Sequence, residues 1–243
     1  MYPKTNISAL EKESNWWYEI RKSLVIKQIQ PFLKDTAYIL DAGAGFGDVS
    51  FVLKNMGLAV RCLDISLESV KELRERGLIA DKGDVQNLPY DNHTFDIILS
   101  LDVLEHVKDD LTAIKELKRV LKNDGIAIIN VPMFPFLWSF HDEANNHFRR
   151  YKRHEIEDKI NKCGLTILKQ FYWNSILLIP VFVFRKLKMA LRIKTDDNAD
   201  SNNIFISYFS KKILKFDVFL AQKGVFPFGI SKMMIVQKNT SKK

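Results

Sequence analysis

Between residues 37 and 132, short apolar runs alternate with stretches whose apolar positions recur every three or four residues. The short runs are Ala37–Asp41, Ala59–Asp64, Phe95–Leu101 and Gly125–Val131. They are partly β-branched and bounded by Gly, Asp or Pro, the pattern of strands buried on both faces. Val49–Met56, Ser66–Arg76 and Asp109–Lys122 carry the helical period. Ser66, with Glu68 in the first turn, marks a helix start, and Asp124-Gly125 marks a stop. Parallel strands need crossover helices, so the repetition predicts a doubly wound α/β sheet.

The flanks add to this unit. Residues 8–34 read as an amphipathic helix or helix pair, a cap over residues 1–35. A loop rich in His, Arg and aromatics, Met133–Lys152, precedes a helix from about Arg153 to Cys163 that Gly164 ends. Thr166–Trp173 and Lys232–Lys238 are further strands, leaving residues 174–230 as a helical insert before the last one. That insert opens on Ile176–Phe184, nine apolar or Pro residues followed by Arg185, Lys186 and Lys188. Nine is well short of the roughly 20 needed to span a bilayer. A polar stretch, Asp196–Asn203, separates it from a second basic, aromatic segment, Ile204–Gln222.

At 243 residues, 47% hydrophobic and 27% charged, the chain is expected to form one globular domain over 1–243. Two cysteines, Cys62 and Cys163, are too few for a disulfide framework and lack metal-ligand spacing. With no secretory pattern in Met1–Leu10, a reduced, cytoplasmic protein without a metal is expected. The net charge of +8 is uneven: residues 1–184 sum to −1 and residues 185–243 to +9. The basic segment suits either an anionic neighbour or a solubilising face.

The chemistry concentrates in Ile39–Gly47, ILDAGAGFG: a strand ending in Asp41, then Gly43, Ala44, Gly45 and Gly47 before a helix. Glycines there permit a tight turn and let the backbone approach a ligand at a helix N-terminus. The G-x-G-x-G spacing differs from the G-x-G-x-x-G preferred by dinucleotide folds. Asp64 ends the next strand, where a carboxylate can accept both ribose hydroxyls, and Asp84-Val85 follow another strand. Three acids at three strand ends suit a cationic, adenosine-bearing ligand better than a pyrophosphate. Each acid alone could instead cap a turn.

These residues resemble the class I S-adenosylmethionine-dependent methyltransferases, over most of the chain. The resemblance implies a Rossmann-like seven-stranded methyltransferase sheet and S-adenosyl-L-methionine as cofactor. It implies cofactor contacts from Asp41, Gly43, Ala44, Gly45, Gly47, Asp64, Ile65, Asp84, Val85 and Leu101, with Arg21 pairing the methionine carboxylate. FDIILSLDVLEHV is similar to the fourth strand of the subgroup that includes ubiquinone-biosynthesis O-methyltransferases. Glu13 to Tyr18 with Arg21 resembles the leader of bacterial methyltransferases of glycan and lipid pathways, with Asn15 in place of the usual His. His141-Asp142 and Asn146 to Tyr151 resemble that subgroup's HD…GHxRRY signature, with Asn146 in place of Gly, and Pro227 to Ser231 resembles its tail.

The implied activity is in-line methyl transfer to an oxygen of a small-molecule, glycan or lipid-linked acceptor. A base is expected among His147, His141 and His106, in that order, because imidazole takes protons near neutrality. Trp16, Trp17, His141, Arg149, Arg150 and Tyr151 are the expected acceptor contacts, the arginines as clamps for an anionic group. Arg149 could instead bind a loop carbonyl or Asp142, and the tryptophans could simply dock the first helix. An RNA methyltransferase and a non-catalytic adenosyl-ligand or membrane-docking protein are the alternatives, and glycine spacing disfavours a nicotinamide oxidoreductase. No nucleic acid partner is expected. The insert has two readings, a wall for a pocket or interface, or peripheral contact with an anionic membrane at its inner face.

Overall fold

The computed structural model describes residues 16–191 and 204–238. Glu13 to Asn15 of the leader and the polar stretch Asp196–Asn203 lie outside them. Seven strands form one sheet in the order β3-β2-β1-β4-β5-β7-β6. These are β1 (Tyr38–Ala42), β2 (Ala59–Asp64), β3 (Ile79–Lys82), β4 (Phe95–Leu101), β5 (Leu121–Pro132), β6 (Leu165–Trp173) and β7 (Ser231–Lys238). The first five run parallel, while β7 lies antiparallel between β5 and β6. The order reverses at β1, where β2 and β4 flank it on opposite sides, and such a switch point opens a crevice at the strand ends.

The connecting helices are α1 (Trp16–Ile29), α2 (Asp48–Asn55), α3 (Leu67–Glu75), α4 (Asp110–Val120), α5 (Phe140–Ala144), α6 (Glu155–Lys162), α7 (Leu178–Ala190) and α8 (Ile204–Gln222). Ser66 caps α3 by accepting from the Ser69 N–H, and Asp109 caps α4 by accepting from Thr112. Each sheet face buries its own apolar cluster. Leu40, Ile98, Ile129 and Val236 point to one, and Ile39, Ile97, Ile128 and Ile235 to the other. Strand alternation assigns successive residues to opposite faces.

Two local features depart from the sequence pattern. β3 is only four residues long with Ile79 exposed at the sheet edge, so no apolar run announces it. The expected stop at Asp124-Gly125 is not where α4 ends. Leu121 is drawn into the sheet opposite Phe95, and Asp124-Gly125 sit inside β5 beside a register shift, Asp124 at φ 59°.

The insert between β6 and β7 contains α7 and α8. α8 packs on α1 and β6. Buried Asp217 of α8 accepts the N–H groups of Asn174, Ser175 and Ile176 at 2.6, 2.7 and 2.7 Å, anchoring the exit from β6.

Candidate active site

The glycine loop follows β1. Gly43 adopts φ +83°, and a Cβ there would stand 2.5 Å from a Val103 methyl group. Its N–H and that of Ala44 donate to the Leu63 carbonyl at 2.8 and 3.0 Å, which ties the loop to β2. Gly45, at φ +53°, has open space where its Cβ would be, and Gly47 is the N-cap of α2. Asp41 lies beneath, buried, accepting the Ser50 hydroxyl at 2.6 Å. Burial pushes its carboxyl up to about 6, against the pull of that hydrogen bond and of Arg21.

A cavity of about 500 Å3 starts at this loop and runs past Tyr18, Arg21 and Leu101 to His106, His141 and His147. Trp17 also lines it and stacks on Trp173 at 5.5 Å. Arg21 pairs with Asp102 at 2.5 Å and keeps a buried Nε without a hydrogen-bond partner. Asp102 stands just past β4 at φ +59° and accepts also from the Asn130 amide at 2.6 Å. Asn130 in turn accepts the Trp173 indole N–H at 2.9 Å.

At the far end Asp142, fully buried, is the organising group. It accepts the His147 Nδ1–H at 2.9 Å, the Arg150 Nε–H at 2.7 Å and the Ser139 N–H at 3.0 Å. Burial alone would raise its carboxyl, but His147 and Arg150 outweigh that and hold it well below the usual range. The hydrogen bond spends His147 Nδ1 and leaves Nε2 as the acceptor of the neutral ring. His106 meets His147 edge to face at 4.6 Å, and His141 lies 6.4 Å from His147. Burial, then the neighbouring His147, pushes His106 down to about 4, so it is neutral at physiological pH.

Glu105 completes the cluster, buried, with one carboxyl oxygen unpartnered. Burial and the Asp102 charge push its carboxyl well above the usual range. One ligating atom from each of Glu105, His106 and His147 lies within 4.8 Å of the others, a spacing that could hold a cation. The Arg150 charge acting on Glu105 opposes one there.

Other sequence candidates fall elsewhere. Asp64 does not line the cavity but borders it through the loop, accepting the N–H of Gly45, which does line it, and that of Ser66 at 2.8 Å each. Ile65 is exposed, Val85 is buried in the core, and Asp84 accepts the Gln86 N–H within its own turn. Arg149 donates to the Val107 and Lys108 carbonyls at 2.8 and 2.6 Å, and Tyr151, fully buried, donates to Asp110. Arg150 touches the cavity, but its Nε is committed to Asp142. Trp16 opens α1.

Residues 40–129 match the family model of the methyltransferase domain. An uncharacterised protein of Methanocaldococcus jannaschii is 38% identical over 160 residues, 65% of this chain and 65% of its own length. The sarcosine/dimethylglycine N-methyltransferase of Aphanothece halophytica is 33% identical over 104 residues, 39% of this chain and 38% of its own length. The family match supports a class I S-adenosylmethionine-dependent methyltransferase domain over residues 40–129. The chain spans less than two thirds of the length of these curated relatives. A SAM-dependent methyltransferase from Archaeoglobus fulgidus shares the fold at a TM-score of 0.57 and 16% identity, covering 91% of this chain and 94% of that one.

S-adenosylmethionine is the cofactor of this methyltransferase family. The residues present fit it. The open space over Gly45 leaves room against the loop backbone, and the unpartnered Arg21 Nε–H suits a carboxylate. Asp102, Glu105 and Asp142 were not singled out by sequence reasoning as site residues. The first two lie in LDVLEHV directly after a strand, where ligand groups collect, and that position was the available signal.

Proposed function

We propose that this chain transfers a methyl group from S-adenosylmethionine to an oxygen of a small-molecule, glycan or lipid-linked acceptor. One observation carries the reading: a single cavity has the glycine loop at one end and the Asp142-oriented His147 at the other. The cofactor supplies an electrophilic methyl group on a positively charged sulfur. Asp41 and the loop backbone hold the near end, and the Arg21 guanidinium takes the amino-acid carboxylate. Asp64, already fixed by two backbone N–H groups, presents its remaining lone pairs to the ribose. His147 accepts the acceptor's proton at Nε2 while Asp142 stabilises the charged ring. His106, neutral, orients the acceptor hydroxyl.

Calorimetric titration with S-adenosylhomocysteine, with NADH as control, tests the cofactor end. Binding of the first ligand alone, lost in Asp64→Ala, is expected, and binding of NADH instead overturns the assignment. Radiolabelled S-adenosylmethionine offered with lipid and soluble extracts tests the acceptor end. His147→Ala should bind S-adenosylhomocysteine within a few-fold of wild type yet lose labelling by about 10²–10⁴-fold. Full labelling by that variant would favour transfer to an amine, as in the sarcosine/dimethylglycine relative's name, because a free amine lone pair needs no base.

A further inference from the structure

α7 is apolar on a face that nothing described covers. Ile179, Val183, Leu187 and Leu191 follow one another at four-residue intervals and are 68%, 57%, 56% and 60% exposed. Leu177, Val181 and Arg185 repeat at the same interval, two positions earlier, and line the cavity. An offset of two residues is about 200° around a helix, so one side of α7 walls the cavity and the other faces away. Four large aliphatic side chains in one exposed stripe form a contiguous patch of the kind that marks an interaction site.

The charge beside the stripe selects its occupant. Residues 176–195 contain five Lys or Arg and no Asp or Glu. Lys186 is exposed and rides over the Phe182 ring, which in turn meets Phe136, itself 53% exposed. The acid of α8, Asp217, is buried on backbone N–H groups and offers no countercharge. A second copy would set basic stripe against basic stripe, whereas an anionic lipid surface supplies both the apolar depth and the opposite charge. Among the described residues no helix is long and apolar enough to cross a membrane.

We propose that α7 docks the protein onto an anionic lipid surface, its stripe in the acyl boundary and Lys186 among the headgroups. The wall of the cavity is then also the membrane contact. An acceptor with an acyl or isoprenoid tail stays in the bilayer while its polar end passes Leu177 and Arg185 towards His147. The docking itself stands apart from the chemistry at His147, while the path of the acceptor rests on the proposed methyl transfer.

Flotation of the full chain with vesicles tests it. Vesicles of phosphatidylcholine with about one third phosphatidylglycerol should carry the protein, and phosphatidylcholine alone should not. Lys186→Glu should weaken partitioning about fivefold or more, and Val183→Asp with Leu187→Asp by more than tenfold. The same samples titrated with S-adenosylhomocysteine should match wild type, which separates loss of docking from loss of fold or cofactor site. Absence of capture, capture indifferent to these substitutions, or a wild-type dimer that V183D/L187D dissociates would each overturn the proposal.

Discussion

Replacing Asp41 with Asn removes a carboxyl that the fold holds at a cost. Asn is nearly isosteric and its amide oxygen still accepts the Ser50 hydroxyl, so the contact at 2.6 Å is retained. Moving the carboxyl from 3.8 to about 6 amounts to about 3 kcal/mol at most. The folded chain binds this proton more tightly than the unfolded chain does. Asp41 therefore contributes its stability below about pH 4, and the contribution is lost as pH rises to about 6 and beyond. Urea unfolding of wild type and Asp41→Asn at intervals from pH 4 to 8 isolates this group, because all others cancel in the difference. The variant should gain on wild type by up to about 3 kcal/mol, beginning near pH 4 and levelling off beyond about pH 6, then run parallel towards pH 8. S-adenosylhomocysteine should bind the variant about tenfold or more weakly, since a charged hydrogen-bonding group is lost. Parallel stability curves from pH 4 to 8 would refute the account of Asp41.

Gly43→Ala should cost about 2–4 kcal/mol, because a left-handed backbone and a 2.5 Å approach to Val103 are both penalised. Adding Val103→Ala should restore only the steric part, as read by denaturant midpoints. Asp142→Asn should cost about 3–5 kcal/mol, because it leaves the Arg150 guanidinium buried without its counter-charge. In that variant the His147 ring should also lose its fixed orientation, read from its proton NMR line shape and contacts. Asp217→Ala strips three backbone N–H groups of their acceptor and should cost about 3 kcal/mol or more. Amide exchange should accelerate first at residues 174–176, and uniform acceleration over the chain would contradict a local anchor.

The sheet was legible wherever burial on both faces forced continuous apolar runs, as in Phe95–Leu101. At β3 only the acid that follows it, Asp84, signalled a strand, because the edge position leaves Ile79 in solvent and removes the apolar run. The end of α4 was misplaced for a related reason. A glycine normally stops a helix, but the pairing of Leu121 with Phe95 ends this one earlier, and tertiary pairing is not written in local propensity. At the site, the glycine loop announced itself because it needs residues with positive φ. Asp142 stood quoted in the HD motif, yet its part as a shared anchor for His147 and Arg150 depends on a chain reversal no spacing reveals. The basic run of the insert was visible as charge. That its neighbouring apolar residues face outward required the packing.

The position of β7 sets an order of events during synthesis. Every parallel strand and helix through α8 leaves the ribosome before residues 231–238, yet those residues fill the slot between β5 and β6. Until they arrive, both neighbours hold open edges of unpaired backbone, and the pockets for Met233, Met234, Ile235 and Val236 stay wet. A nascent chain stalled before β7 therefore carries a nearly finished parallel half beside two strands ready to pair with a stranger. Closure waits for eight residues, so translation pauses in this stretch expose the protein to aggregation in a way that pauses before β1 do not.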